Sequence, residues 1–169
     1  KPSITGISPA SVAVNGTVTI TGVNLGTTTA VKIGSKTLAV STKGATSVTA
    51  VVPAGTTSGK ISLTTPGGTV LSADTLSIIP VPTITSITGT KGTGANAAKF
   101  VSGSTITING TGFTGATAVT IGANSISGFT VVSDTKITFT APANKSGTAV
   151  TVRTPGGLAT KAGAIATTA

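Results

Sequence analysis

The sequence predicts an all-β protein: two tandem β-sandwich domains of about seven antiparallel strands each, in an elongated arrangement. Three observations lead there. One succession of segments occurs twice, apolar and polar residues alternate at a period of two, and turn residues recur at short intervals. Each copy closes on the same tetrapeptide, Thr-Pro-Gly-Gly, at residues 65–68 and again at 154–157.

Taken in chain order, each segment of the first copy has a counterpart in the second. Pro2, Ile4 and Ile7 open the first as Pro82, Ile84 and Ile87 open the second. Val18-Thr19-Ile20-Thr21-Gly22, followed by Leu25, answers to Ile106-Thr107-Ile108-Asn109-Gly110, followed by Phe113. Ala30-Val31-Lys32-Ile33-Gly34 matches Ala118-Val119-Thr120-Ile121-Gly122, and residues 48–53 match 137–142. Ser58-Gly59 and Ser146-Gly147 then lead into a last hairpin through Lys60-Ile61-Ser62-Leu63-Thr64 and Ala149-Val150-Thr151-Val152-Arg153. Threonine dominates the outward positions, where its branched β-carbon favours extended backbone and its hydroxyl stays solvated. Between the strands lie Asn15-Gly16, Pro53-Ala54-Gly55 and the Thr-Pro-Gly-Gly turns, in which proline fixes the first corner and glycine supplies positive φ. No stretch keeps a helical period.

The 169 residues divide at Ile78-Ile79-Pro80-Val81-Pro82 into domains 1–80 and 81–169, near the small end for an independent fold. Two prolines at the junction favour a stiff, extended connection. The clearest departure between the copies is an insertion near residues 89–99, rich in Gly, Ala, Thr and Lys, which reads as a longer, flexible loop.

In this order the motifs resemble the IPT/TIG domains, immunoglobulin-like folds found in plexins, some transcription factors and many bacterial surface proteins. The resemblance is carried by Pro2, Ile4, Ile7, Ser8-Pro9, residues 20–25, the Val-x-Ile-Gly strand, the Val-Pro or Ala-Pro turn and the closing Pro-Gly-Gly, and it covers both halves. The second copy departs by lacking Ser-Pro after Ile87 and by its insertion there. The resemblance implies an immunoglobulin-like sandwich in each half.

The residue alphabet argues against an enzyme. There is no Cys, His, Trp, Tyr or Met, and the acidic residues are Asp74 and Asp134, one in each copy. General acid-base and nucleophilic catalysis draw on His or on paired carboxylates, and these two stand at unrelated positions of the repeat. Both read as solvated turn or strand-edge residues. Zinc and redox sites lack ligands, and calcium needs more oxygen charge than one Asp per domain, so no metal or cofactor is expected. Gly110-Thr111-Gly112-Phe113-Thr114-Gly115 has the spacing of a phosphate loop, but a strand rather than a helix follows it, so it reads as a turn.

Net charge is +9, shared as 5 − 1 = +4 in the first copy and 6 − 1 = +5 in the second. That balance favours weak electrostatic contact with anionic polymers. One arginine, Arg153, and no clustered basic loop argue against specific nucleic-acid recognition. The aromatic residues are Phe100, Phe113, Phe129 and Phe139, all in the second copy. The last three read as core, and Phe100 as core or loop anchor, the one aromatic placed for exposure. The Ala-rich end, residues 159–169, is too short and interrupted to span a bilayer.

The reading that follows is a non-enzymatic structural or adhesive module of a secreted or surface-displayed bacterial protein, a candidate subunit of an extracellular assembly. Its partners are other proteins or further copies of itself. The alternatives are a phage virion protein, in head decoration or tail, displayed on the virion surface, and an accessory module of a polysaccharide-processing enzyme. The candidate contact loop is Lys91, Gly92, Thr93, Gly94, Ala95, Asn96, Ala97, Ala98, Lys99 and Phe100, because it distinguishes the copies.

Overall fold

Alternation in the sequence becomes alternation of burial. In the strand Thr17–Val23, Val18, Ile20 and Gly22 are buried while Thr17, Thr21 and Val23 face water. The same pattern recurs through a computed structural model that describes all residues, Lys1–Ala169. Chain contacts divide it into two units, Lys1–Pro80 and Val81–Ala169.

The first unit comprises β1 (Ser3–Ser8), β2 (Ser11–Ala13), β3 (Thr17–Val23), β4 (Ala30–Ile33), β5 (Lys36–Lys43), β6 (Ser47–Val51), β7 (Gly59–Thr65) and β8 (Gly68–Ile79). One layer runs β1-β3-β6-β5 and the other β5-β4-β7-β8-β2, so β5 belongs to both: Lys36 to Leu38 pair with β4, and Ala39 onward with β6. All pairings are antiparallel except β2 with β8, where Val12 lies opposite Ile78 in parallel register.

The second unit comprises β9 (Thr83–Gly89), β10 (Thr105–Thr111), β11 (Ala118–Ile121), β12 (Asn124–Ser125), β13 (Thr130–Ser133), β14 (Lys136–Thr140), β15 (Ser146–Thr154) and β16 (Gly157–Ala166). Its sheets run β13-β14-β10-β9 and β12-β11-β15-β16. The strand that switches layers in the first unit is here split into β12 and β13, with Gly128 at φ 72° in the gap. Each unit therefore has eight strands, one more than expected. In the first the addition is β2; in the second it is the split.

The two cores are built position for position. Val18, Ile20, Leu25, Ile33 and Leu63 are fully or almost fully buried in one, as Ile106, Ile108, Phe113, Ile121 and Val152 are in the other. Phe113 and Phe139 are core residues, and Phe129 packs partly buried against them. The outward threonines bond across strands: Thr42 to Thr49 at 2.6 Å, Thr64 to Thr69 at 3.0 Å, and Thr120 to Thr151 at 2.7 Å between hydroxyl oxygens. Such pairs strengthen a sheet whose side chains carry little charge.

The Thr-Pro-Gly-Gly turns join the last two strands of each unit, with Thr65 paired to Gly68 and Thr154 to Gly157. The threonine hydroxyl accepts the amide of Gly67 at 3.1 Å in one and of Gly156 at 3.1 Å in the other. Gly68 and Gly157 have φ of 119° and 134°, values closed to other residues, which explains the fourth letter of the motif.

Gly22 and Gly110 meet a different constraint, the close approach of a neighbouring strand within the same unit, β1 to β3 and β9 to β10, at a register shift. A β-carbon on Gly110 would land on the carbonyl oxygen of Thr83 and on the Phe113 ring, and one on Gly22 on the carbonyl oxygen of Ser3. Gly110→Ala is therefore expected to destabilise the protein by at least about 1–3 kcal/mol in urea unfolding. A change within experimental error would show that β9 can shift to make room.

Candidate functional site

What the second unit adds begins where β9 ends. Ile87 follows Ile7 by 80 residues, but Ile106 follows Val18 by 88, so eight residues are inserted between them. By the second offset Phe100 takes the place of Val12. The structure puts it there: Phe100 bridges Thr167 in parallel, as Val12 pairs with Ile78 beside the last strand of the first unit. Phe100 donates its amide to Ala166 at 2.8 Å and accepts that of Thr168 at 2.9 Å. It is 3 % exposed. The aromatic named among the candidate contacts is thus an anchor beneath the surface, held because the ring closes one end of the core.

The inserted residues are not a slack loop. Lys91 bridges Phe100 in antiparallel register, and the Gly92 amide bonds the Lys99 carbonyl at 3.0 Å. A single 3-10 turn, Gly94–Asn96, makes the tip, closed by Asn96 to Thr93 at 3.0 Å and Lys99 to Asn96 at 2.8 Å. Composition suggested flexibility, whereas backbone hydrogen bonds and the Phe100 anchor make a closed hairpin. Gly89 leaves room beneath it, since a β-carbon there would crowd the Phe100 ring and the Thr105 carbonyl oxygen, each at 3.0 Å. Thr93 to Ala98 are exposed, and Gly92 and Lys99 half-buried.

Lys91 lies along the top of this anchor. Its Nζ is 3.4 Å from the Phe100 ring centroid and donates to the Ala98 carbonyl at 3.1 Å. An open groove of about 180 Å³ lies alongside, lined by Ile87, Lys91, Phe100 and residues 161–165, including Lys161. A second, of about 220 Å³, is lined by Lys99, Asn144, Lys145, Ser146, Ala166 and Thr167. The chain segment ending β16 separates them and is fixed by Thr167, whose amide bonds the Lys145 carbonyl at 2.8 Å and whose hydroxyl accepts the Lys145 amide at 2.9 Å. Four lysines thus gather at this end, an arrangement invisible in the sequence because it joins residues from 91 to 161.

Asp134 stands elsewhere, in the turn between β13 and β14. Its carboxylate accepts the Thr114 hydroxyl at 2.8 Å, the Gly112 amide at 3.0 Å and the Thr114 amide at 3.2 Å. Its role is to clasp the Gly-rich turn of residues 110–115, a strand-to-strand connection. Asp74 is exposed in β8 of the other unit, and its carbonyl accepts the Ser72 hydroxyl at 2.6 Å. Arg153 is exposed on β15, opposite Leu158 beside the Thr-Pro-Gly-Gly turn, away from the four lysines.

The Thr114 hydroxyl, then the Gly112 and Thr114 amides, hold the Asp134 carboxyl below its ordinary value, against a smaller opposing effect of desolvation. A depressed folded-state value stabilises the fold above the unfolded value, and that stability is lost as pH falls through the folded one. The stability advantage of the native chain over Asp134→Ala is expected to be constant near neutrality and to shrink below about pH 4. A pH-independent difference would assign the effect to packing. For the anchor, Phe100→Ala is expected to cost about 3–5 kcal/mol in chemical denaturation. Lys91→Ala, which removes an exposed cation–π contact, is expected to cost no more than about 1 kcal/mol, and equal losses would contradict the division of roles.

Both halves match the IPT/TIG domain family model, over residues 2–78 and 82–166. No curated protein matches the chain. Among solved structures, similar ones include SGBP-B from a complex xyloglucan utilization locus in Bacteroides uniformis, at 20 % identity over 96 % of this chain and 49 % of that one, with a TM-score of 0.44. A surface glycan-binding protein from Prevotella bryantii is similar at 18 % identity over 95 % and 41 %, with a TM-score of 0.43. The plexin A4 extracellular region is similar at 18 % identity over 99 % and 18 %, with a TM-score of 0.47. The chain spans less than half the length of each of these three.

Proposed function

Because the chain belongs to the IPT/TIG domain family in both of its halves, we propose that it is a non-enzymatic structural and adhesive segment of a secreted or surface-displayed bacterial protein, one that makes its contacts through the hairpin end of the second domain. The observation that carries this reading is the hairpin itself. One frame occurs twice, and where the first copy completes it with the short strand β2, the second adds eight residues, anchors them on Phe100 and presents their tip to solvent. Function on an immunoglobulin-like frame resides in the segments displayed from it. The Thr-rich outer faces, cross-linked by hydroxyl pairs and poor in charge, suit a segment that carries the contact rather than making it.

Deleting residues 92–98 removes the exposed tip and leaves both sandwich cores untouched, since none of these residues is buried. The expected outcome is an unchanged far-ultraviolet spectrum and unfolding midpoint, with weaker self-association by light scattering or weaker attachment to the parent cell surface. Unchanged association and attachment would remove the hairpin from the contact.

A further inference from the structure

We propose that the hairpin end of the second domain binds a linear polyanion, a chain with closely repeated anionic oxygens that is held by its charge and not by ring stacking. The inference rests on the reading of this end as the contact surface and names the chemistry of its partner. Four of the second unit's six basic residues, Lys91, Lys99, Lys145 and Lys161, line the two grooves there. Position for position the first unit has no such lysines, since Thr56 and Thr57 stand where the second has Lys145 and the buried Ser72 occupies the strand position of Lys161; one lysine, Lys36, reaches the same end from another strand, beside Gly55. The gathering of four lysines around two grooves is therefore particular to the second unit, and is not the even scatter that the sequence suggests.

No acidic side chain offsets it. The unit's single acidic side chain, Asp134, is engaged beside Gly112, at the end of β10 that pairs with Thr83, whereas the hairpin leaves from Gly89. Ile87, which lines the nearer groove, stands four residues along β9 from Thr83, roughly 13 Å at about 3.3 Å per residue. That exceeds the Debye length of about 8 Å at physiological ionic strength, so the carboxylate is largely screened from the lysines.

Geometry selects the class of anion. Phe100 and Lys99 are successive residues with side chains on opposite sides of one ladder, as are Ile165 and Ala166, so the grooves flank that ladder with a lysine pair in each. Both grooves are open, which suits a chain passing through rather than an enclosed small molecule. Lys91 is already positioned by the Phe100 ring and the Ala98 carbonyl, so part of the ordering cost of binding is met in the free protein. The ring is buried and covered by that ammonium, leaving no aromatic platform for bases or neutral sugars. Lysine acts as a point charge without a fixed fork, so this end reads charge density rather than the shape of one anionic group. A polyphosphate and a polyuronate share that chemistry.

The test uses the 169-residue chain, titrated calorimetrically with inorganic polyphosphate and with polygalacturonate between about 50 and 200 mM salt. Single-stranded DNA of equal charge is a third arm. Both polymers are expected to bind, with affinity falling as salt rises. The double variants Lys91→Gln/Lys161→Gln and Lys99→Gln/Lys145→Gln are each expected to weaken binding about tenfold and to reduce the salt slope by about 1.4, at about 0.7 per phosphate contact. The control Lys32→Gln/Lys136→Gln keeps net charge equal to theirs and is expected to leave affinity and slope near the native values. Absence of binding at the lowest salt, equal losses from the control, or tighter binding of the DNA would each overturn the inference. If the polymers fail to bind while deletion of residues 92–98 still weakens association, the polyanion is excluded and the contact surface stands.

Discussion

The burial of Phe100 at the mouth of the second sandwich is the interaction on which the inserted hairpin, the proposed contact end of this protein, depends. Its ring fills the place that Val12 fills in the first, and the residue pairs with the strand that ends the domain. A domain of this size has a net stability of about 5–15 kcal/mol, so one aromatic anchor worth several kcal/mol is a large share of it. The same side chain supports Lys91 on its face, so core closure and the display of charge are coupled through one ring.

Around that anchor, the rest of the fold works by repetition under a strict backbone rule. Equivalent positions in the two copies take positive φ and are filled by Gly or Asn alone: Asn15 and Gly103, Asn24 and Gly112, Gly34 and Gly122, Gly55 and Asn144, Gly68 and Gly157. These residues tolerate the left-handed region, so the turns keep their shape while other residues vary. The variation is concentrated in volume and in reach. Leu25 becomes Phe113 and Ala50 becomes Phe139 in the cores, β5 splits into β12 and β13, and the eight inserted residues extend the rim. Asp134 belongs to the same set of local compensations, tying down the turn of residues 110–115 with three hydrogen bonds.

The strands and turns were legible in the sequence because they rest on local physics. A period of two fixes which residues face inward, and Pro-Gly pairs fix where the chain reverses. The all-β sandwich and the hairpin at each Thr-Pro-Gly-Gly followed from those signals. The inserted hairpin was misread as flexible because Gly, Ala and Thr say little about backbone hydrogen bonds that form only when Phe100 is anchored against residues near 167. Its register was nevertheless present in the change of offset from 80 to 88, which assigns Phe100 to the place of Val12. The lysine cluster had no such signal. Lys91, Lys99, Lys145 and Lys161 are spread over seventy residues and meet only through the pairing of β15 with β16 and of Phe100 with Thr167. In the same way the clasp made by Asp134 joins residues twenty or more apart, beyond the reach of a motif.

The lysines of this end are held in place only if the hairpin is a formed structure fixed by its anchor, and amide hydrogen exchange reads this directly. The amides of Gly92, Lys99 and Val101, which bond the carbonyls of Lys99, Asn96 and Thr90, are expected to be protected in the native chain. In Phe100→Ala they are expected to lose that protection together, while the amides of β10 and β14 retain theirs. Exchange of these amides at the rate of an unstructured peptide in the native chain would contradict the account, because it would mean that the hairpin and its lysines are not held in place.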